Sequence, residues 1–118
     1  MKLPSPERAV VDRRKLDEYC LNPAHPRGRH KARLFSSVLG ITQRNLEVLR
    51  AALLRAAFDD EARPTLADDY GRRYMVDFEM KGPSGEAIVR SSWIVLTEES
   101  FPRLVSCYIL RRPKADGT

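Results

Sequence analysis

One stretch of the sequence combines a residue suited to acid–base chemistry with residues suited to binding an anion. Positions 21–33 read Leu-Asn-Pro-Ala-His-Pro-Arg-Gly-Arg-His-Lys-Ala-Arg, so that His25 lies in a stiff loop between two prolines. Histidine titrates near neutral pH, which makes His25 the best candidate in the chain for a general acid or base. The stretch that follows predicts a helix with a basic first turn. Cations at a helix N-terminus oppose the helix dipole, so this placement favours a bound anion such as phosphate. The alternative is a structural loop in which His25 hydrogen-bonds a backbone group and the arginines face water.

The charge of the 118-residue chain is concentrated around the same stretch. The net charge is +5, and no acidic residue occurs between Tyr19 and Leu46. This interval alone contributes five positive charges, from Arg27, Arg29, Lys31, Arg33 and Arg44. A basic segment on an otherwise balanced chain predicts a polyanion partner such as RNA. We therefore assign nucleic-acid binding to Arg27, Arg29, Lys31 and Arg33, with an ordinary solvated surface as the alternative.

The elements that must position these residues follow from the spacing of apolar side chains. Asp12 and Thr42 are suitable N-caps for a first and a third helix, and positions 30–39 predict a second. Alternating apolar residues predict strands at 74–80, 87–96 and 104–110, joined by turns. A short apolar run at 9–11 predicts a fourth strand, whereas 58–69 is expected to be a connector and 111–118 a polar tail. This order predicts a single α+β domain over 1–118, with N-terminal helices packed on one face of a three- or four-stranded antiparallel sheet.

The motifs together resemble a bacterial family catalogued as domain of unknown function 6883. The resemblance rests on Leu-Asn-Pro-x-His-Pro-x-Gly-x-x-Lys-Ala at 21–32, Tyr-Gly-Arg-Arg-Tyr at 70–74, Gly-Pro-Ser-Gly at 82–85, Val-Arg-Ser-Ser-Trp-Ile at 89–94 and Pro-Arg-Leu-Val at 102–105. It covers roughly residues 9–110, and Ser91-Ser92 departs from an expected threonine. Similar domains occur at the C-termini of large secreted bacterial toxins and as short stand-alone proteins. The resemblance therefore implies a toxin-associated module, with a fold analogous to the barnase, EndoU, colicin and RelE group of ribonucleases.

Metal-independent RNA cleavage would assign further roles within this sequence. The reaction needs a base for the 2′-hydroxyl, an acid for the leaving oxygen and cations for the pentavalent phosphate. We assign a catalytic role to five residues: His25, Lys31, Arg90, Ser92 and Arg103. Trp93 or Tyr74 would stack a base if exposed, although Trp93 is more often a core residue in such a strand. Arg90 has the alternative of a structural ion pair with Asp77 or Glu79.

Two function classes therefore remain open: a metal-independent endoribonuclease of toxin type, and a non-catalytic module that binds nucleic acid or protein. The partners expected are RNA and a small acidic immunity or antitoxin-like protein. The sequence predicts no cofactor, and Cys20 and Cys107 are expected to be buried thiols. No apolar run approaches the ~20 residues that span a bilayer. The N-terminus lacks the apolar region of a secretory signal, so we expect a cytoplasmic protein or a module of a larger one.

Overall fold

A four-stranded antiparallel sheet forms the second half of the chain. The structure is a computed structural model that describes residues 1–111. The strands are β1 (Arg63–Asp68), β2 (Gly71–Gly82), β3 (Gly85–Leu96) and β4 (Arg103–Arg111), and their order in the sheet is the order in the chain. The prediction of an α+β fold with helices on one face of an antiparallel sheet is confirmed.

The long hairpin of β2 and β3 fixes which side chains face which way. Its register runs without a break from Gly71 opposite Leu96 to Gly82 opposite Gly85, around a two-residue Pro83-Ser84 turn. Side chains alternate between the two faces of a strand. One face carries the buried residues Tyr74, Val76, Phe78, Met80, Ala87, Val89, Ser91, Trp93 and Val95, and Ile94 is the buried residue of the other face. The intervening side chains lie on the opposite face, which no helix of residues 1–111 covers. We call this opposite face the uncovered face.

Three helices precede the sheet. Helix α1 (Arg13–Lys15) continues into a π-helical turn, Leu16–Cys20, and α2 (Arg29–Leu34) continues into a second, Phe35–Leu39. Helix α3 (Leu46–Asp59) follows a 3-10 turn, Gln43–Asn45. The predicted caps are present, because Asp12 accepts a hydrogen bond from the Arg14 N–H and Thr42 forms a capping box with Asn45.

The core lies between these helices and the buried face of the sheet, and Trp93 is at its centre. Trp93 is fully buried; its Nε1–H donates to Ser91 Oγ at 2.9 Å, and that hydroxyl donates to the Val76 carbonyl at 2.8 Å. A tryptophan with its only donor satisfied can be buried without a polar penalty. Tyr74 is also buried, at 4% exposure. The suggestion that Trp93 or Tyr74 stacks a base is therefore wrong for this structure.

The fourth strand is not the one that the sequence predicts. Positions 9–11 make a single parallel bridge, in which Val10 N–H donates to the Pro102 carbonyl and Leu104 N–H donates to the Val10 carbonyl. The strand β1 instead occupies part of the predicted connector and includes Pro64. Proline is tolerated on an edge strand because the missing N–H faces away from the ladder. Arg111 ends β4, and the rest of the predicted tail lies outside the described residues.

No helix within residues 1–111 is both long enough and apolar enough to cross a membrane.

Candidate functional site

A row of polar side chains crosses three strands on the uncovered face. The sheet register places Asp77 opposite Arg90 and Arg90 opposite Tyr108. Arg90 Nε and Nη2 donate to Asp77 Oδ1 and Oδ2, both at 2.8 Å. Hydrogen bonds to Asp77, and secondarily to the Tyr108 hydroxyl, raise the pKa of Arg90 above its ordinary value. Arg90 is therefore a half-buried cation that is fixed by one carboxylate and has Tyr108 as its neighbour on β4.

Lys31 joins this row from the other half of the chain. Helix α2 packs beside the edge strand β4, and Lys31 Nζ lies 4.9 Å from the centroid of the Tyr108 ring. Within residues 1–111, Lys31 has no carboxylate partner. A cation over an aromatic face is attracted by the ring quadrupole. Lys31 and Arg90, which are 59 positions apart in the sequence, are thus both neighbours of Tyr108. We call the four residues Lys31, Tyr108, Arg90 and Asp77 the sheet row.

Ser92 lies next to the sheet row on β3. It is two residues from Arg90, so both side chains point to the uncovered face, and its strand partners are Met75 and Ser106. Ser92 is half-buried, and its hydroxyl makes no hydrogen bond to another described residue. It is the second hydroxyl, after Tyr108, close to Arg90.

Arg103 lies at the opposite end of β4, about 15 Å along the strand from Tyr108. Its Nε and Nη2 donate to the two carboxylate oxygens of Glu99, both at 2.7 Å. This pairing raises the pKa of Arg103 and lowers that of Glu99. The Arg103 guanidinium also lies 5.1 Å from the Phe101 ring, and that of Arg8 lies 4.7 Å from the same ring. Of the two sheet arginines predicted to be catalytic, only Arg90 lies close to Lys31.

His25 makes its hydrogen bonds within its own loop. Its Nδ1 accepts the backbone N–H groups of Arg27 at 3.1 Å and Gly28 at 3.0 Å. The imidazole edge packs on Tyr19, with ring centroids 4.6 Å apart and planes at 82°. Because Nδ1 accepts two donors, the imidazole proton is assigned to Nε2 in this conformation. The ring therefore caps the chain as it enters α2, which is the structural alternative considered for this loop.

The loop is also held by a close approach at Gly28. A Cβ atom on this residue would lie 2.7 Å from the Tyr19 carbonyl oxygen, a distance that no side chain accommodates. Tyr19 and His25 border a surface cavity of about 360 Å³ with Asp12, Arg14, Lys15 and Glu18. Lys15 Nζ in turn donates to the Leu104 carbonyl at 3.0 Å. Lys15 therefore joins one wall of this cavity to the edge strand β4.

The basic segment presents most of its charge to solvent. Arg27, Arg29 and Arg33 are exposed, and none of them forms an ion pair with a described residue. At 3.6 residues per turn, Lys31 points about 160° away from both Arg29 and Arg33 around α2. The structure therefore divides the four predicted nucleic-acid-binding residues into three solvent-facing arginines and one lysine directed at the sheet.

Tyr108 is the residue of this site that sequence reasoning missed. The alternation of β4 places it on the uncovered face, but its proximity to Arg90 depends on the strand register, and its contact with Lys31 depends on helix packing. Asp77 was considered only as a structural partner for Arg90, and it has that role here. No group of three or more His, Cys, Asp and Glu side chains in the described part of the chain is arranged to hold a metal ion.

Comparison with known proteins identifies a structure with a similar fold and a family to which the sequence matches. A chain in a contact-dependent growth inhibition toxin–immunity protein complex from Klebsiella pneumoniae 342 is similar, with a TM-score of 0.65 and 21% sequence identity. The similarity covers 85% of the present chain and 98% of that chain, and at this identity it shows a shared fold. Among curated proteins, none matches. Residues 2–111 match the model of the family described as "Domain of unknown function (DUF6883)", and the chain belongs to this family.

Proposed function

We propose that this protein is a toxin-like module that cleaves RNA without a metal ion, and that the sheet row binds the scissile phosphate. The observation that carries the proposal is the meeting of Lys31 and Arg90 at Tyr108 on the uncovered face. Two cations beside a hydroxyl on an open sheet form an arrangement suited to a phosphate that gains negative charge in the transition state. The toxin–immunity complex that shares the fold supports the toxin part of the proposal.

Each candidate residue has a role in this proposal. Lys31 and Arg90 stabilise the pentavalent phosphate, and Ser92 donates a hydrogen bond from the adjacent position on β3. The exposed cations Arg27, Arg29 and Arg33 bind the RNA backbone on the solvent side of the basic segment. Arg103 contacts the backbone at the far end of β4 while it remains paired with Glu99. The RNA thus follows the basic segment and the edge of β4.

His25 takes part through Nε2. In the observed conformation Nε2 carries the proton and can donate a hydrogen bond to a phosphate oxygen. To act as a general base, Nε2 must instead offer a lone pair, and the proton would then occupy Nδ1. That tautomer loses both hydrogen bonds from the loop, at Arg27 N–H and Gly28 N–H. We therefore propose a donor role for His25 in the closed loop, and a base role only in an opened one.

A small acidic protein is the expected protein partner. The exposed arginines of the basic segment have no counter-charge within residues 1–111, so an acidic surface would neutralise them and block the path of RNA. A toxin-like module that acts on cellular RNA acts in the cytoplasm, and an inhibitor of this kind would protect the cell that makes it.

A second candidate function is a non-catalytic RNA-binding module, and specific observations favour it. Arg90 and Arg103 each donate two hydrogen bonds to one carboxylate, and the His25 Nδ1 is fully occupied. Side chains whose hydrogen bonds are already made within the protein are typical of structural residues. The cations of the basic segment, which have no acidic partner among residues 1–111, would then account for RNA binding without cleavage.

The experiment that separates the two candidates uses the purified chain on total RNA with EDTA present. The ribonuclease proposal predicts cleavage at some pH between 5 and 8 in the absence of any partner protein. If the RNA binds but survives an excess of protein across that range, the non-catalytic module is the correct function. If RNA neither binds nor is cleaved at low salt, both candidates are wrong.

A further inference from the structure

A second surface cavity lies on the flank of α2 that faces away from the sheet row. Its volume is about 370 Å³, and it lies where the loop before α2, the π-helical turn Phe35–Leu39 and the start of the 3-10 turn Gln43–Asn45 meet. Arg33 lines this cavity. Because Arg33 and Lys31 point about 160° apart around α2, the cavity is separate from the proposed phosphate site.

The lining of this cavity combines apolar surface with a few polar groups. Leu21 and Ala32 are buried residues of the core, and Pro23 in the loop before α2 adds further apolar surface. Ser36 and Gln43 contribute a hydroxyl and an amide. Binding sites for small organic groups are typically concave and largely apolar, with a few polar groups that fix the orientation of the ligand. The cavity therefore suits a flat ligand with a polar edge.

The polar groups of the cavity retain hydrogen-bonding capacity for a ligand. Gln43 Nε2 donates to the Asp17 carbonyl at 2.7 Å, and since a carbonyl only accepts, this contact identifies Oε1 as the remaining acceptor of the amide. Neither Gln43 Oε1 nor the Ser36 hydroxyl forms a hydrogen bond with another described residue. A nucleobase carries N–H donors and ring acceptors along its edge, and these two groups can pair with both kinds.

The charge around the cavity indicates that its ligand is part of a polyanion. No acidic side chain lines the cavity, and no acidic residue occurs anywhere between Tyr19 and Leu46. Arg33 is exposed and has no ion pair within residues 1–111, and Arg29 is exposed about one helical turn before it. A phosphate backbone bound by these arginines would bring its attached bases to the cavity.

We propose that this cavity is a pocket for one unstacked nucleobase of single-stranded RNA. The edge of the base pairs with Gln43 Oε1 and the Ser36 hydroxyl, while Arg33 binds a neighbouring phosphate. The proposal rests on the RNA-binding part of the proposed function and not on cleavage. An α-helix with its side chains is about 10–12 Å across, and α2 separates the pocket from the sheet row. The pocket therefore holds the base of a nucleotide near the scissile phosphate and selects the sequence around it.

The test measures the affinity of the full chain for two short single-stranded oligonucleotides that differ only in their bases. Both are 2′-O-methylated, so that neither can be cleaved through its 2′-hydroxyl; one has a mixed sequence and the other is abasic throughout. Their equal length and charge give them the same salt-dependent binding to the arginines. The base-bearing oligonucleotide should bind about tenfold more tightly, the usual contribution of one bound base. Equal affinities would overturn the pocket and leave backbone binding by the basic segment intact.

Two variants test whether the preference for bases arises at this cavity. Ser36→Leu and Ser37→Leu each place a larger side chain in the cavity from an exposed position, so both should fold, which thermal unfolding checks. Each should remove most of the preference and leave the affinity for the abasic oligonucleotide unchanged. Ala51→Leu is the matched control, because it places the same side chain at an exposed position of α3 outside the cavity. It should keep the tenfold preference.

The same measurements separate a failure of the pocket from a failure of the proposed function. If neither oligonucleotide binds at low salt, RNA binding and the pocket are both wrong. If both filling variants keep the preference, bases bind elsewhere on the protein and only the pocket is wrong. The pocket is also wrong if the filling variants change the sedimentation of the chain and not the preference, because the cavity then contacts a second copy of the protein.

Discussion

Three arginines of the basic segment and two arginines of the sheet, Arg90 and Arg103, have opposite chemical surroundings. Arg90 and Arg103 are half-buried, and each donates two hydrogen bonds to one carboxylate. Arg27, Arg29 and Arg33 are exposed, and none has an acidic partner among the described residues. The first group is fixed in position by the protein itself, whereas the second is free to meet a ligand.

The two regions therefore contribute to function in different ways. A bidentate carboxylate contact specifies where a guanidinium points, so the sheet provides geometry. An exposed arginine without a partner provides charge and can rearrange its side chain around a polyanion. Lys31 combines both properties, because it has no ion pair within residues 1–111 and yet lies against the Tyr108 ring of the sheet row.

The largest effect on RNA cleavage is expected from substitution of Arg90. Arg90→Ala should reduce kcat/KM for RNA cleavage by about 10²–10³-fold, the usual loss on removing one donor to a charged transition state. Asp77→Asn is the matched variant, since it keeps the Arg90 guanidinium and removes only the carboxylate charge and one of the two hydrogen bonds that orient it. Its cleavage rate should fall far less. If both variants retain wild-type rates and lose only stability, Arg90 is structural.

The next largest effect is expected on the salt dependence of RNA binding by the basic segment. Replacing Arg27, Arg29 and Arg33 by alanine should flatten the slope of log affinity for single-stranded RNA against log salt by about 2, at about 0.7 for each neutralised phosphate. The free energy of unfolding should change little, because these side chains have no ion pair with a described residue to lose. Arg55 and Arg72 are matched controls, since both are exposed and lack an ion pair among residues 1–111. An equal flattening in an Arg55→Ala, Arg72→Ala variant would show that RNA binds without regard to position.

A smaller effect is expected at His25, where substitution should lower stability as well as the rate of cleavage. A purely catalytic histidine could be changed to alanine at constant stability, but the two hydrogen bonds to Nδ1 predict that His25→Ala lowers the free energy of unfolding by about 1 kcal/mol. His25→Asn keeps an acceptor for the same N–H groups and removes the Nε2–H donor. Asparagine should therefore restore stability without restoring cleavage. Thermal unfolding and cleavage assays on both variants distinguish capping from catalysis.

The smallest effect concerns pH and the pair of Arg103 with Glu99. Hydrogen bonding to Arg103 holds the pKa of Glu99 below its ordinary value of 4.5. The pair therefore stabilises the fold above that pH, and its contribution is lost as the pH falls through the lowered value. Glu99→Gln should make the thermal midpoint less sensitive to pH below about 4.5. A variant whose pH dependence equals that of the wild type would show that the pair does not contribute to stability.

Particular residues show what the sequence could and could not predict. Helix caps and strand alternation are local features of the sequence, so the helices and the long strands were predictable. The caps are Asp12 and Thr42, and the alternating strands are β2, β3 and β4. The strand β1 was missed because Pro64 and exposed side chains resemble a loop, and only pairing with β2 makes it a strand. Tyr108 was missed because its meeting with Lys31 and Arg90 depends on strand register and helix packing, neither of which a local pattern specifies.

The most direct test of the sheet row compares two substitutions on one helix. Lys31 and Arg33 are two residues apart on α2, both lack an ion pair among the described residues, and they point to opposite flanks of the helix. The measurement is the rate of RNA cleavage at low salt, with EDTA, by Lys31→Ala and by Arg33→Ala. We expect Lys31→Ala to lose about 10²-fold in rate and Arg33→Ala to remain within a few-fold of wild type. Equal losses in the two variants, or wild-type activity in Lys31→Ala, would contradict it.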